Sequence, residues 1–144
     1  MIVYHSEDVS FALKNKREIS SWIKRIVSTE SKNQCKIGDI NIIFCSDNYL
    51  LEMNNKYLKH NYFTDIITFD YCESDIISGD LFISIDTVKS NSFEYKTDFL
   101  DELFRVIIHG ILHLLGFNDS TAEEQIEMKS AEERSLSNLQ IRNG

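Results

Sequence analysis

The chain has 144 residues, the length of one domain that can bury a core of its own. A net charge of −8 excludes indiscriminate nucleic-acid binding through a basic surface, although it leaves room for a local basic groove. Hydrophobic residues at 42% and charged residues at 26% belong to an ordinary soluble globular protein, and no apolar run is long enough to span a bilayer.

The first residues, Met1 to Asp8, show no basic stretch followed by an apolar one, so no secretion signal is expected. Cys35, Cys45 and Cys72 are odd in number and lack a CxxC spacing, which reads as reduced thiols in a cytoplasmic protein.

Ile2 to Tyr4 read as a short first strand. Ile19, Trp22, Ile23, Ile26 and Val27 recur at helical spacing and predict an amphipathic helix from about Ser10 to Thr29. Lys14, Lys16, Arg17, Lys24 and Arg25 cluster on that segment as a solvated face. Ile40 to Cys45 form an apolar, β-branched strand, after which Ser46 offers an N-cap for a short helix bearing Leu50, Leu51 and Met53. Asp65–Tyr71 and Asp80–Ile85 are two further strands, and the short polar connection containing Gly79 predicts a hairpin.

After Asp86 the pattern is helical to the end. Thr97 is placed to cap a helix running to about Leu115, and Thr121 with Glu124 forms a capping-box signature for a last helix reaching about Leu139. Glu123, Glu124, Glu127, Glu132 and Glu133 read as a solvated acidic face of that helix. With no proline, repeat or low-complexity linker, residues 1–144 are expected to form a single α+β domain. Its architecture is expected to be a small mixed four-stranded β-sheet layered with about five helices.

The chemistry concentrates in His109-Gly110-Ile111-Leu112-His113-Leu114-Leu115-Gly116-Phe117-Asn118-Asp119. Histidines four apart lie on one helix face, so their imidazole nitrogens can converge on one ion. Gly116 is positioned to end the helix in a left-handed conformation and bring Asp119 back toward that ion. Two histidines and a carboxylate, with other positions left to water, are a ligand set for catalytic zinc. The flanking Ile107, Ile108, Ile111, Leu112, Leu114 and Leu115 make the helix apolar, and imidazoles among them need partners. A metal supplies one, placing the expected site at the end of a central helix.

Other stretches recur in order. Met53-Asn54-Asn55-Lys56-Tyr57, Thr64-Asp65-Ile66-Ile67-Thr68-Phe69 and Gly79-Asp80-Leu81-Phe82-Ile83-Ser84 precede the His109–Gly116 core, with Glu102-Leu103 before it and Met128 and Glu132 after it. In these motifs the chain resembles the YbeY family, bacterial metal-dependent proteins linked to ribosomal RNA processing. The resemblance implies a zinc-dependent endoribonuclease with one Zn2+ per chain, acting on single-stranded RNA in small-subunit ribosomal RNA maturation and ribosome quality control. It implies ribosomal RNA and the small subunit as partners, and neither DNA nor membrane.

Two positions depart from the family pattern. Asp119 stands where the family usually has a third histidine, and the added negative charge should make bound water less acidic and favour harder metals. Leu58 replaces an arginine thought to serve the substrate backbone, leaving Lys56, Lys59 and Arg105 as candidate RNA contacts. Tyr62, Phe63 and Phe117 are candidate stacking residues, though core or loop packing is the better reading of each. Asp65 and Glu102 are candidates to orient the ligand imidazoles.

Two competing readings remain. The HxxxHxxGxxD spacing is close to that of zincin-type metallopeptidases, in which a glutamate general base follows the first histidine; here Gly110 occupies that place. A non-catalytic ribosome-assembly factor with a structural metal is the other. The strand from Leu81 to Ile85 is expected to offer an edge to an extended substrate under either enzymatic reading.

Overall fold

The apolar stretches assemble around one sheet. The structure is a computed structural model that describes residues 1–31, 34–58 and 64–139. Lys59, Tyr62 and Phe63, named above as candidate RNA contacts, lie outside the described residues. The elements, in chain order, are β1 (Ile2–Ser6), α1 (Lys16–Glu30), β2 (Lys36–Cys45), α2 (Asp47–Leu58), β3 (Ile66–Asp70), β4 (Ile76–Ser84), α3 (Ile85–Glu94), α4 (Phe99–Leu114) and α5 (Ala122–Ser137).

The four strands form one mixed sheet in the order β1-β2-β4-β3. β1 and β4 both run parallel to β2, and β3 closes a hairpin antiparallel to β4. The expected hairpin and α+β domain are therefore present. The expected substrate edge is not where the sequence put it. β4 is interior, hydrogen-bonded on both sides, and the edge strands are β1 and β3. The hydrophobicity of Leu81 to Ile83 reflects that interior position, because an inner strand is covered on both faces, and Ile85 already begins α3.

One face of the sheet carries the principal core. Ile40, Ile42 and Phe44 of β2 and Leu81 and Ile83 of β4 pack against Trp22, Ile23 and Ile26 of α1 and Leu103, Ile107 and Ile111 of α4. The alternation along each strand sends the next residues to the other face, where Cys45, Leu50 and Ile67 form a smaller cluster under α2. Helix α5 backs α4, and the buried Trp22 indole N–H donates to the Ser135 carbonyl at 2.7 Å, tying α1 to α5.

Helix α1 begins at Lys16, later than the periodicity predicts. Asn15 has φ of 60°, a left-handed conformation that interrupts any helix entering from Ser10. The preceding segment is instead held by Phe11, whose ring meets Phe44 and Phe99 edge-on at 5.0 and 5.7 Å. Helix α4 starts after Asp98 in place of Thr97. The Ser46 cap of α2 forms at 3.2 Å, and the Thr121–Glu124 capping box of α5 is complete.

Candidate metal centre

Helix α4 runs through the centre of the molecule, with ten of its residues buried. Its sheet-facing side is built around Gly110: a Cβ there would approach the Ile66 side chain to 2.8 Å and the Leu81 side chain to 3.0 Å. His109 and His113 lie to one side of that contact and enter a cleft of about 560 Å³ between α2, β3 and the α4–α5 turn.

The turn is dictated locally. Gly116 has φ of +98°, the Phe117 N–H donates to the Leu112 carbonyl at 3.0 Å and the Gly116 N–H to the His113 carbonyl at 3.0 Å. These are the paired bonds of a Schellman motif. Nothing lies within 4 Å of a Cβ built at Gly116, so glycine is favoured there by backbone conformation and not by crowding. The chain then returns Asp119 to the histidines. The Gln125 side-chain amide donates to the Asp119 carbonyl at 3.1 Å, and the capping box starts α5 immediately afterward.

Three donor atoms converge. His109 Nε2 and His113 Nε2 are 3.0 Å apart, and Asp119 Oδ2 lies 3.4 Å from the first and 3.3 Å from the second. For metal–ligand bonds of roughly 2.0–2.1 Å, the edge of a tetrahedron is about 3.3–3.4 Å. The triangle fits one face of such a tetrahedron closely. The side chains remain 25%, 28% and 44% exposed, so solvent and substrate reach the cluster. Among the described residues this is the group of His, Cys, Asp and Glu side chains arranged to hold a metal ion.

Behind His109 is a partner that the sequence reading assigned to a solvated face. Glu132 of α5 is only 8% exposed; one carboxylate oxygen accepts from His109 Nδ1 at 2.7 Å and the other from Arg105 Nη1 at 3.1 Å. With Nδ1 occupied, Nε2 is the nitrogen presented to the cluster. Burial alone would push the His109 ring toward neutrality, but the Glu132 bond and the charges of Glu132, Asp65 and Asp119 outweigh it and raise its pKa. A signal was present in the sequence, because Met128, Ala131, Glu132 and Ser135 share the buried stripe of α5.

The other candidates fall into place differently. Asp65 lines the cleft at the foot of β3; burial raises its pKa and the nearby His109 charge partly opposes this. Glu102 is buried, its pKa raised by burial against the opposing charge of Arg105. Neither makes a hydrogen bond to a ligand imidazole among the described residues, and that role for His109 belongs to Glu132. Arg105 is committed to Glu132 and, at 2.8 Å, to Glu133. Lys56 sits over the Tyr57 ring and does not line the cleft, whereas Leu58 does. Phe117 packs against the principal core.

A family model described as "Endoribonuclease YbeY" matches residues 2–140. The chain belongs to the YbeY family. A relative named Endoribonuclease YbeY from Parabacteroides distasonis is 51% identical over 138 residues, covering 96% of this chain and 95% of the relative. One from Bacteroides fragilis is 50% identical over 135 residues, covering 94% and 95%. The solution structure of TM1509 from Thermotoga maritima superposes with a TM-score of 0.65 at 26% identity, covering 95% of this chain and 87% of that one. At Gly110, where the zincin pattern carries a glutamate general base, the chain has no side chain to take a proton, and the ends of the Ile66 and Leu81 side chains close over the position. None of the described helices is long and apolar enough to cross a membrane.

Proposed function

We propose that this YbeY protein is a zinc-dependent endoribonuclease, one hydrolase domain over residues 1–144, that cleaves single-stranded RNA during small-subunit ribosomal RNA maturation and ribosome quality control in the cytoplasm. The observation that carries the reading is the triangle of His109, His113 and Asp119 donor atoms, with 3.0–3.4 Å edges, opening into a cleft.

His109, His113 and Asp119 would hold one Zn2+. When bound, the ion supplies a water activated near neutral pH and a Lewis acid for a phosphoryl oxygen. The chain's residues do the rest. Glu132 accepts a hydrogen bond from the Nδ1–H of His109 and fixes the ring, and Arg105 holds Glu132 in turn. Asp65, with its raised pKa and its place in the same cleft, is positioned to exchange a proton with the water or the leaving oxygen. Ribosomal RNA on the small subunit is the proposed partner, and single-stranded segments suit an open cleft reached from solvent.

The test is metal content by elemental mass spectrometry, beside cleavage of a single-stranded ribosomal RNA fragment, for the wild type, His113→Ala and Asp119→Ala. About one zinc per chain and metal-dependent cleavage are expected in the wild type. Both should fall sharply in the variants, with activity down by about a thousandfold, of the order of losing a group worth ~4 kcal/mol to the transition state. A loaded wild type that cleaves no RNA would leave a structural role for the metal in ribosome assembly.

A further inference from the structure

Strand β3 is an outer strand, and among the described residues no strand pairs with its far edge. The ladder fixes which of its backbone groups are committed. The Ser84 N–H donates to the Asp65 carbonyl, and the Tyr71 N–H to the Ser78 carbonyl, both at 2.9 Å. Bonded residues alternate along an antiparallel ladder. With Ile67 opposite Phe82 and Phe69 opposite Asp80, the peptide groups of Asp65, Ile67, Phe69 and Tyr71 therefore turn toward β4. Those of Ile66 and Thr68 turn outward. The Thr64 hydroxyl meets the Ile66 carbonyl at 3.4 Å, as that orientation requires.

The outward edge lies inside the cleft of the metal cluster. Asn54 and Leu58 reach the cleft from α2, His109 and His113 reach it from α4, and Ile66 and Thr68 line it between them. The two helices cover opposite faces of the sheet, as Ile66 against Gly110 and Ile67 against Leu50 show, so the cleft wraps around the strand edge. Among the described residues no lysine or arginine lines it, whereas Asp65, Asp70 and Asp119 do. Phosphates entering this cleft therefore have to find neutral donors between carboxylates, and backbone N–H groups are common partners of phosphate oxygens. Outward N–H groups on one strand recur every ~6.4–6.8 Å, a repeat that the phosphates of an extended single strand can follow. Asp70 is the next outward position, and its exposed carboxylate would repel a third phosphate.

We infer that the free edge of β3 holds two consecutive phosphates of single-stranded RNA through the backbone N–H groups of Ile66 and Thr68, and so feeds the strand to the metal centre. The inference deepens the ribonuclease reading and rests on it. It also accounts for RNA binding by a chain of net charge −8 with leucine at position 58. An extended polypeptide could add to the same edge, but Gly110 leaves the chain without the zincin general base, so RNA is the favoured occupant.

Proline at an outward-facing edge position removes that N–H and no ladder bond. Zinc-loaded Thr68→Pro should bind a non-cleavable single-stranded RNA about tenfold more weakly than Thr68→Val, which keeps the N–H, as expected for one hydrogen bond to a charged group. Zinc content and thermal midpoint should match between the two variants. Equal affinities would overturn the inference. If Thr68→Pro does not fold, the salt dependence of wild-type binding decides, at roughly −0.7 in log K per log salt for each phosphate neutralised. A slope shallower than about −1.4 is expected, because neutral N–H donors release no counterions, and one of about −1.4 or steeper would mean that two or more lysines and arginines hold the strand and the edge does not. A wild type that cleaves RNA while the two variants bind alike sinks the edge and leaves the ribonuclease reading standing. A wild type that neither binds nor cleaves RNA sinks both, and weakened binding of an extended peptide by Thr68→Pro would then assign the edge to polypeptide.

Discussion

His109 and His113 stand one turn apart on α4, and they are held in different ways. His109 is fixed from behind: Glu132 accepts a hydrogen bond from its Nδ1, Arg105 holds Glu132, and Glu133 holds another nitrogen of Arg105. His113 and Asp119 depend instead on the backbone, through the Schellman turn at Gly116 and the capping box that starts α5. One corner of the metal cluster is therefore set by side-chain chemistry supplied from another helix. The other two are set by where α4 ends. Damage to either support should lower metal affinity, by separate routes and with separate signatures.

Glu132→Gln strikes the first support and carries the larger effect. A glutamine keeps the shape and loses the charge that orients and polarises the ring. Zinc affinity is expected to fall about 10–100-fold, in line with other partners of metal-ligating histidines. Competition against a chromophoric chelator measures this directly. An unchanged affinity would show that the imidazole is oriented by packing alone.

Gly116→Ala strikes the second support. A Cβ there meets nothing within 4 Å, so the cost is that of a left-handed backbone for an L-residue, about 1–2 kcal/mol. The expected loss in denaturant or thermal unfolding of the metal-free protein is of that size. Zinc affinity should fall as well, because Asp119 follows the turn, while the His109–Glu132 bond stays intact. A stability loss without any change in affinity would mean that Asp119 finds its place by another route.

The two supports also differ in how plainly the sequence displayed them. The turn was legible, since a glycine three residues after the second histidine and a Thr121–Glu124 capping box are local signals for backbone events. The β3–β4 hairpin was legible for the same reason. Glu132 was harder to see because it sits in an acidic run, and only its place on the stripe of Met128, Ala131 and Ser135 separates it from the exposed Glu133. The order of strands was hidden too. Periodicity shows that residues 81–85 are covered, but not that β2 pairs with β4 across an intervening helix and strand, which leaves β3 at the edge. The start of α1 was missed because asparagine tolerates a left-handed backbone without announcing it, and Asn15 uses that freedom.

The smallest expected effect concerns protons, and its sign separates the metal-free protein from the loaded one. The His109 ring opposes its own charging through burial, yet the Glu132 bond and the surrounding carboxylates raise its pKa above the ordinary 6.5. A raised pKa in the folded state means that the native protein binds the proton more tightly than the unfolded chain does. The stabilisation is therefore fully present below about pH 6.5 and is lost as pH rises through the folded value. In the metal-free wild type this group should lower the thermal midpoint between about pH 6 and pH 8, and Glu132→Gln should flatten that slope. Zinc reverses the dependence. Coordination needs the Nε2 lone pair, so binding expels the proton that Glu132 helped to retain, and affinity climbs over the same pH window. Melting curves at several pH values, with and without zinc, should diverge as pH rises. Parallel curves would mean that His109 carries no extra proton in the metal-free fold, and that Glu132 acts by geometry alone.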